Sequence, residues 1–86
     1  MKKAWTDEGW NDYVYWQSQD KRTLKKINSL IKSIERDGPS SGEGHPEPLK
    51  YRPGYSRTIN EKDRLVYDVI DNEIIIISCR GHYEDK

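Results

Sequence analysis

The side chains best suited to proton and charge chemistry in this 86-residue sequence fall in two stretches. One is Gly44-His45-Pro46-Glu47-Pro48-Leu49-Lys50. There Pro46 and Pro48 have fixed φ and Glu47 is pushed towards extended backbone, so its carboxylate has a stiff mount. Such a group is either a chance loop acid or a positioned one. The other stretch runs from Asp63 to Tyr83 and contains Arg64, Arg80 and His82. A carboxylate and an imidazole have intrinsic pKa values of about 4.3 and about 6.5, a separation that suits a base and an acid. Nearby guanidinium groups favour the ionised carboxylate and can stabilise developing negative charge. The same charges would also suit an ordinary solvated hairpin.

The second stretch reads as a β-hairpin. Arg64-Leu65-Val66-Tyr67-Asp68-Val69-Ile70 and Ile74-Ile75-Ile76-Ile77-Ser78-Cys79-Arg80 are rich in β-branched and aromatic residues, and an Asp/Asn turn separates them. Turn length sets the faces because side chains alternate with a period of two. A two-residue loop at Asp71-Asn72 puts Arg64 and Arg80 on opposite faces. A three-residue loop, Asp71 to Glu73, pairs Arg64 with Arg80 and puts His82 beside them. Polarity favours the longer loop. It predicts a core face of Leu65, Tyr67, Val69, Ile75, Ile77 and Cys79. The opposite face then carries Arg64, Asp68, Ser78, Arg80 and His82 among Val66, Ile74 and Ile76.

The elements that must hold these residues are few. The length predicts one domain over residues 1–86 that needs nearly all its apolar residues in one core. Lys2 to Trp5 reads as an opening strand. Thr6 followed by Asp7 and Glu8 is a helix start, and Trp10, Tyr13, Val14 and Gln17 continue it at helical spacing to about Gln19. Asp20 caps a second helix, whose stripe is Leu24, Ile27, Leu30, Ile31 and Ile34. Lys21, Arg22, Lys25, Lys26 and Lys32 lie mostly off that stripe, as a solvated face or a contact for phosphate backbone. Asp37-Gly38-Pro39 ends the helix. Pro39 to Pro48 is too polar and too rich in Gly and Pro for regular structure. Leu49-Lys50-Tyr51 and Tyr55 to Ile59 read as short strands before the hairpin. The outline is β-α-α-β-β-β, an α+β sandwich with two helices on one face of a small, mainly antiparallel sheet. The other sheet face is expected to stay open and concave.

Lys+Arg and Asp+Glu both number 15, so net charge selects no partner class. A single cysteine excludes an internal disulfide and fits a reducing cytosol. Cys79, His45 and His82 fall short of the ligand count and spacing of a structural zinc site. His45 reads as a loop residue. No apolar run approaches a membrane span, and the first residues lack a signal-peptide core.

Taken in order, these residues resemble the YoeB-type toxins of the RelE superfamily, the toxic halves of bacterial toxin–antitoxin pairs. The resemblance rests on Trp10-Asn11-Asp12-Tyr13-Val14-Tyr15-Trp16-Gln17, Asp20-Lys21-Arg22, Lys25-Lys26-Ile27-Asn28 and Gly44 to Lys50. It continues through Tyr55-Ser56-Arg57, Arg64-Leu65-Val66-Tyr67 and Cys79-Arg80-Gly81-His82-Tyr83. It implies the compact RelE-like microbial ribonuclease fold. It also implies a cytoplasmic endoribonuclease that cuts messenger RNA in the decoding site of the ribosome. Its expected partners are the ribosome, messenger RNA, a YefM/Phd-type antitoxin and a second copy of the chain. Neither metal nor cofactor is expected.

By the same resemblance Glu47 is the base, His82 the acid, and Arg64 faces the scissile phosphate. Lys50, Arg57, Arg80 and Tyr83 are further RNA- or phosphate-binding positions. Three features depart from the family pattern: Thr58 in place of a second Arg, Gly81 in place of a bulkier residue, and the extension Glu84-Asp85-Lys86. Two other functions fit the same fold. ParE-like relatives poison DNA gyrase and lack the Glu/Arg/His set, and a plain RNA-binding module would leave RNA intact.

Overall fold

A computed structural model describes residues 1–81. Its elements are β1 (Lys2–Trp5), α1 (Asp7–Gln19), α2 (Lys21–Asp37), β2 (Glu47–Pro48), β3 (Tyr55–Thr58), β4 (Arg64–Ile70) and β5 (Glu73–Ser78). The strands form one sheet in the order β1-β5-β4-β3-β2. Only β1 runs parallel to its neighbour, β5. The expected α+β arrangement is present, and its five strands match in number the five strand segments read along the sequence.

Both helices start where their caps place them. Thr6 Oγ1 accepts the Gly9 N–H at 3.0 Å and its hydroxyl donates to Ile77 O at 2.7 Å, which fastens the start of α1 to β5. Asp20 accepts from the Arg22 N–H at 3.0 Å and the Thr23 hydroxyl at 2.8 Å. The Thr23 hydroxyl bond is the main reason the Asp20 carboxyl is held below its ordinary value. Ile27, Leu30, Ile31 and Ile34 of α2 are buried against Ile59, Leu65, Tyr67, Ile74, Ile76 and Cys79. Burying a side chain of this kind is worth roughly 1.5–3 kcal/mol over leaving it exposed. Trp5 of β1 and Tyr13 and Trp16 of α1 pack against the edge of this core, whereas Trp10, Val14 and Gln17 of the predicted stripe are exposed.

The hairpin corrects the predicted faces. Ile70 pairs with Glu73, so the turn holds only Asp71 and Asn72, at φ 50° and 61°. Asp and Asn tolerate that left-handed region, and two such residues match the twist of the strands. The ladder then shifts: Tyr67 pairs with Ile76, but Val66 pairs with Ser78. Ile77 is the extra residue of a β-bulge. Before the bulge Ile74 and Ile76 face the helices and are fully buried, while Ile75 and Ile77 are only half-buried, the reverse of the prediction. After it Cys79 returns to the core, as predicted.

The strand predicted at Leu49 to Tyr51 lies earlier. Glu47 and Pro48 pair with Ser56 and Tyr55, and the Leu49 N–H bonds Gly54 O at 2.9 Å to close the turn. Pairing thus aligns Glu47, Ser56, Val66 and Ser78 in one row across β2, β3, β4 and β5. Ser56, Val66 and Ser78 are buried, so the floor of this face is closed rather than bare.

Candidate active site

Strand alternation sends two arginines to opposite sides of the sheet. Arg57 of β3 pairs with Leu65 and faces the helices, where it is fully buried. A guanidinium has five N–H donors, and an interior one must satisfy them. Nε donates to the Tyr67 hydroxyl at 2.8 Å, and Nη1 to Ser33 Oγ at 3.0 Å and Glu43 O at 2.9 Å. Nη2 donates to Gly38 O at 2.9 Å and Ser41 O at 2.6 Å. All five donors are therefore occupied inside the protein. This corrects the assignment of Arg57 to RNA or phosphate binding: it has neither exposure nor a free donor for a phosphate. The Tyr67 hydroxyl donates onward to Pro39 O at 2.6 Å. The Ser33 hydroxyl donates to Asp37 at 3.0 Å. Arg36, then Ser33, hold the Asp37 carboxyl below its ordinary value.

The loop wrapped around Arg57 leads directly to Glu47. The Glu43 carboxylate is bound by Lys26 and by the Ser29 hydroxyl, each at 2.6 Å, which lowers its pKa. The next residue, Gly44, accepts the Thr58 N–H at 2.7 Å. Its φ is 87°, and a Cβ there would lie 2.7 Å from Leu30 Cδ2 and 3.2 Å from Arg57 Cβ, so only glycine fits. From this fixed point the chain passes His45 and Pro46 into β2. Glu47 thus sits between a clasped loop and a closed turn, with its side chain 69% exposed.

Arg64, at the start of β4, meets it. Arg64 Nη2 lies 3.8 Å from Glu47 Oε2 and donates to Ser56 Oγ at 3.1 Å. The first contact is an ion pair too long for a good hydrogen bond. Arg64 Nε is buried and has no partner among the described residues. A buried donor left unmet typically costs about 1–3 kcal/mol, so this guanidinium stands ready for another acceptor.

The end of β5 is tied to the same place. The Arg64 N–H bonds Gly81 O at 3.1 Å, and the Gly81 N–H bonds the Asp63 carboxylate at 2.7 Å. Gly81 has φ 84°, which suits the glycine that departs from the family pattern. The predicted sites His82 and Tyr83, and the extension from Glu84, lie outside the described residues. Arg80 does not lie in a ladder with Arg64, because β5 ends at Ser78. Its guanidinium carbon sits 3.6 Å from the centroid of the Tyr15 ring on α1. Lys50 is exposed just beyond β2.

Of the predicted residues, the structure brings Glu47 and Arg64 together, puts Arg57 behind them and Arg80 to one side. Sequence reasoning missed the Ser56 hydroxyl on Arg64, the Asp63 clamp on Gly81 and the Tyr15 support for Arg80. Ser56 had a signal: alternation along Tyr55-Ser56-Arg57-Thr58 gives Ser56 and Arg57 opposite faces. Cys79 is no nucleophile here, since burial, then Asp12 and Asp63, push its thiol up to about 12. Among the described residues no group of His, Cys, Asp and Glu is placed to hold a metal ion. No helix among them is long and apolar enough to cross a membrane.

Residues 5–83 match the family model for YoeB-like toxins of bacterial type II toxin–antitoxin systems. The chain is 52% identical to toxin YoeB of Escherichia coli strain K12, over 96% of this chain and all of that one. It is 54% identical to toxin YoeB of Synechocystis, over 98% of this chain and 99% of the relative. Its fold superimposes on YoeB in the heterotetrameric YoeB-YefM complex of Staphylococcus aureus with a TM-score of 0.90 at 47% identity, covering 96% of this chain and 98% of that one. The YoeB dimer of Staphylococcus aureus gives a TM-score of 0.91 at 48% identity, with the same coverage.

Proposed function

This chain belongs to the family of YoeB-like toxins of bacterial type II toxin–antitoxin systems, and from that premise we propose that it is an endoribonuclease cutting messenger RNA in the ribosomal A site. The observation that carries the reading is the pairing of Arg64 with Glu47 at 3.8 Å, with Arg64 Nε buried and unmet among the described residues. A cation with an unmet donor beside an exposed carboxylate is what a scissile phosphate next to a ribose hydroxyl requires.

In the proposed reaction Glu47 takes the proton from the ribose 2′-hydroxyl. That oxygen attacks the adjacent phosphorus, and the P–O5′ bond breaks as His82 protonates the leaving oxygen. The products are a 2′,3′-cyclic phosphate and a 5′-hydroxyl. Arg64 stabilises the charge that builds on the phosphorane, an effect typically worth ~100–1000-fold for one well-aimed donor. Lys50, Arg80 and Tyr83 bind the strand around it. We place this activity in the cytoplasm, with a YefM-type antitoxin and a second copy of the chain as partners. The support for these partners is that relatives are found in a YoeB-YefM complex and as a YoeB dimer.

The test is primer extension on a messenger with purified ribosomes. Wild-type protein should give discrete cuts, and Glu47→Ala and His82→Gln should abolish them. Intact transcripts with the wild type, or gyrase-linked DNA breaks instead, would overturn the reading.

A further inference from the structure

Outside the Glu47–Arg64 pair, an exposed arginine is held against an aromatic ring. Arg80 is exposed, and among the described residues it makes no ion pair and no hydrogen bond. Among the described residues it meets the face of Tyr15, at 3.6 Å from guanidinium carbon to ring centroid. That is a close cation–π contact, with the guanidinium carbon over the face of the ring. Tyr15 is itself braced, edge-on, by Trp16 at 5.1 Å. Trp16 is anchored by its indole N–H to Cys79 O at 2.8 Å. Trp16 thus braces the Tyr15 ring from its edge while Arg80, an exposed residue, lies against the ring's face.

Its location gives the pair a use. Arg80 immediately precedes Gly81, whose carbonyl accepts the Arg64 N–H at 3.1 Å. Arg80 is therefore one residue from the main-chain bond that ties the end of β5 to the start of β4, where Arg64 stands. Guanidinium planes and aromatic rings are the surfaces on which proteins stack splayed single-stranded bases.

We propose that Tyr15 and Arg80 together form a nucleobase-stacking platform next to the cleavage site, which binds the base of a flanking ribonucleotide and contributes to the choice of codon. The proposal rests on the endoribonuclease reading above. In it Arg80 contacts a base through its plane rather than a phosphate through its charge, and Tyr15 is the positioning residue that keeps the plane open.

The experiment uses the full chain with ribosomes programmed by a messenger that carries a fluorescent adenine analogue, quenched on stacking, at one decoding-site position at a time. Cleavage-deficient Glu47→Ala protein should quench one of those positions. In that background Tyr15→Leu and Arg80→Lys should each weaken the quench and raise the apparent Kd about tenfold, the scale of one lost base stack. Tyr15→Phe keeps the ring and should behave as its parent. In protein with Glu47 intact, Tyr15→Leu should raise KM by about the same factor, leave kcat nearly unchanged and flatten the preference among codons at the quenched position.

A purely structural Tyr15 would lower the Tm of Tyr15→Leu and leave the pattern of cut codons as it was. That result overturns the platform, as does an unchanged quench in folded Arg80→Lys. Wild-type protein that cuts no messenger defeats the endoribonuclease reading itself, whereas cutting that is indifferent to Tyr15 and Arg80 defeats only the platform.

Discussion

Arg57 and Arg64 lie on adjacent strands and belong to the same residue type, yet their surroundings are opposite. The helix side encloses Arg57 completely and gives each of its five N–H groups an acceptor. The far side leaves Arg64 22% exposed, with one carboxylate at 3.8 Å, one hydroxyl, and Nε unmet among the described residues. A satisfied cation builds structure, and an under-satisfied one is open to a ligand. Counting donors against acceptors therefore separates the two roles where residue type does not.

The sharpest way to break this contrast is to remove each arginine in turn and read stability and cleavage separately. Arg57→Met should leave Gly38 O, Ser41 O and Glu43 O without their buried donor. It also removes the hydrogen bonds of a buried charged donor to Tyr67 and Ser33, and at about 1.5–3 kcal/mol for each bond to a charged group the loss should exceed about 3 kcal/mol. For a domain of this size Tm should then fall by more than about 10 °C in a thermal melt. Arg64→Gln should do the reverse: cleavage in the ribosome assay falls ~100–1000-fold while Tm moves by no more than a few degrees. Equal losses of Tm for the two variants would erase the distinction.

Tyr67→Phe probes the clasp more gently. It removes the hydroxyl that accepts from Arg57 Nε at 2.8 Å and donates to Pro39 O at 2.6 Å, with little change in volume. The expected cost is about 1–3 kcal/mol in urea unfolding. The smallest effect concerns acid. Lys26, then Ser29, lower the Glu43 pKa in the folded protein from its ordinary 4.5. A depressed carboxyl contributes stability that is present above the unfolded value and lost as pH falls through the folded one. Stability should therefore decline below about pH 4.5, and Glu43→Gln should make that decline shallower when unfolding is followed against pH.

The parts of the fold legible in the sequence are those with unambiguous punctuation. Thr6, Asp20 and Gly38 mark the helix ends, and of the α2 stripe Ile27, Leu30, Ile31 and Ile34 are core while Leu24, in the first turn, is only half-buried. Four consecutive isoleucines, Ile74 to Ile77, carry no alternation, so polarity could not locate the bulge or say which two face the helices. Alternation offers a two-residue or a three-residue turn, and gives no sign of a short turn offset by a bulge. Strand β2 was hidden because its pairing comes from tertiary contact with β3 in a stretch that reads as loop. At the site, the proline-bounded Glu47 and Arg64 were legible as a pair by resemblance. Arg57 was misassigned because a basic residue in a hydrophilic run gives no sign that backbone carbonyls will surround it.

Three of the five acceptors on Arg57 are main-chain oxygens, at Gly38, Ser41 and Glu43. Every amino acid carries that atom, so the guanidinium grips the path of the chain and is blind to most of its letters. Ser40 and Ser41 are exposed. They are free to drift between descendants, or to be rewritten by hand as an epitope or a labelling handle, while Glu47 stays where it is.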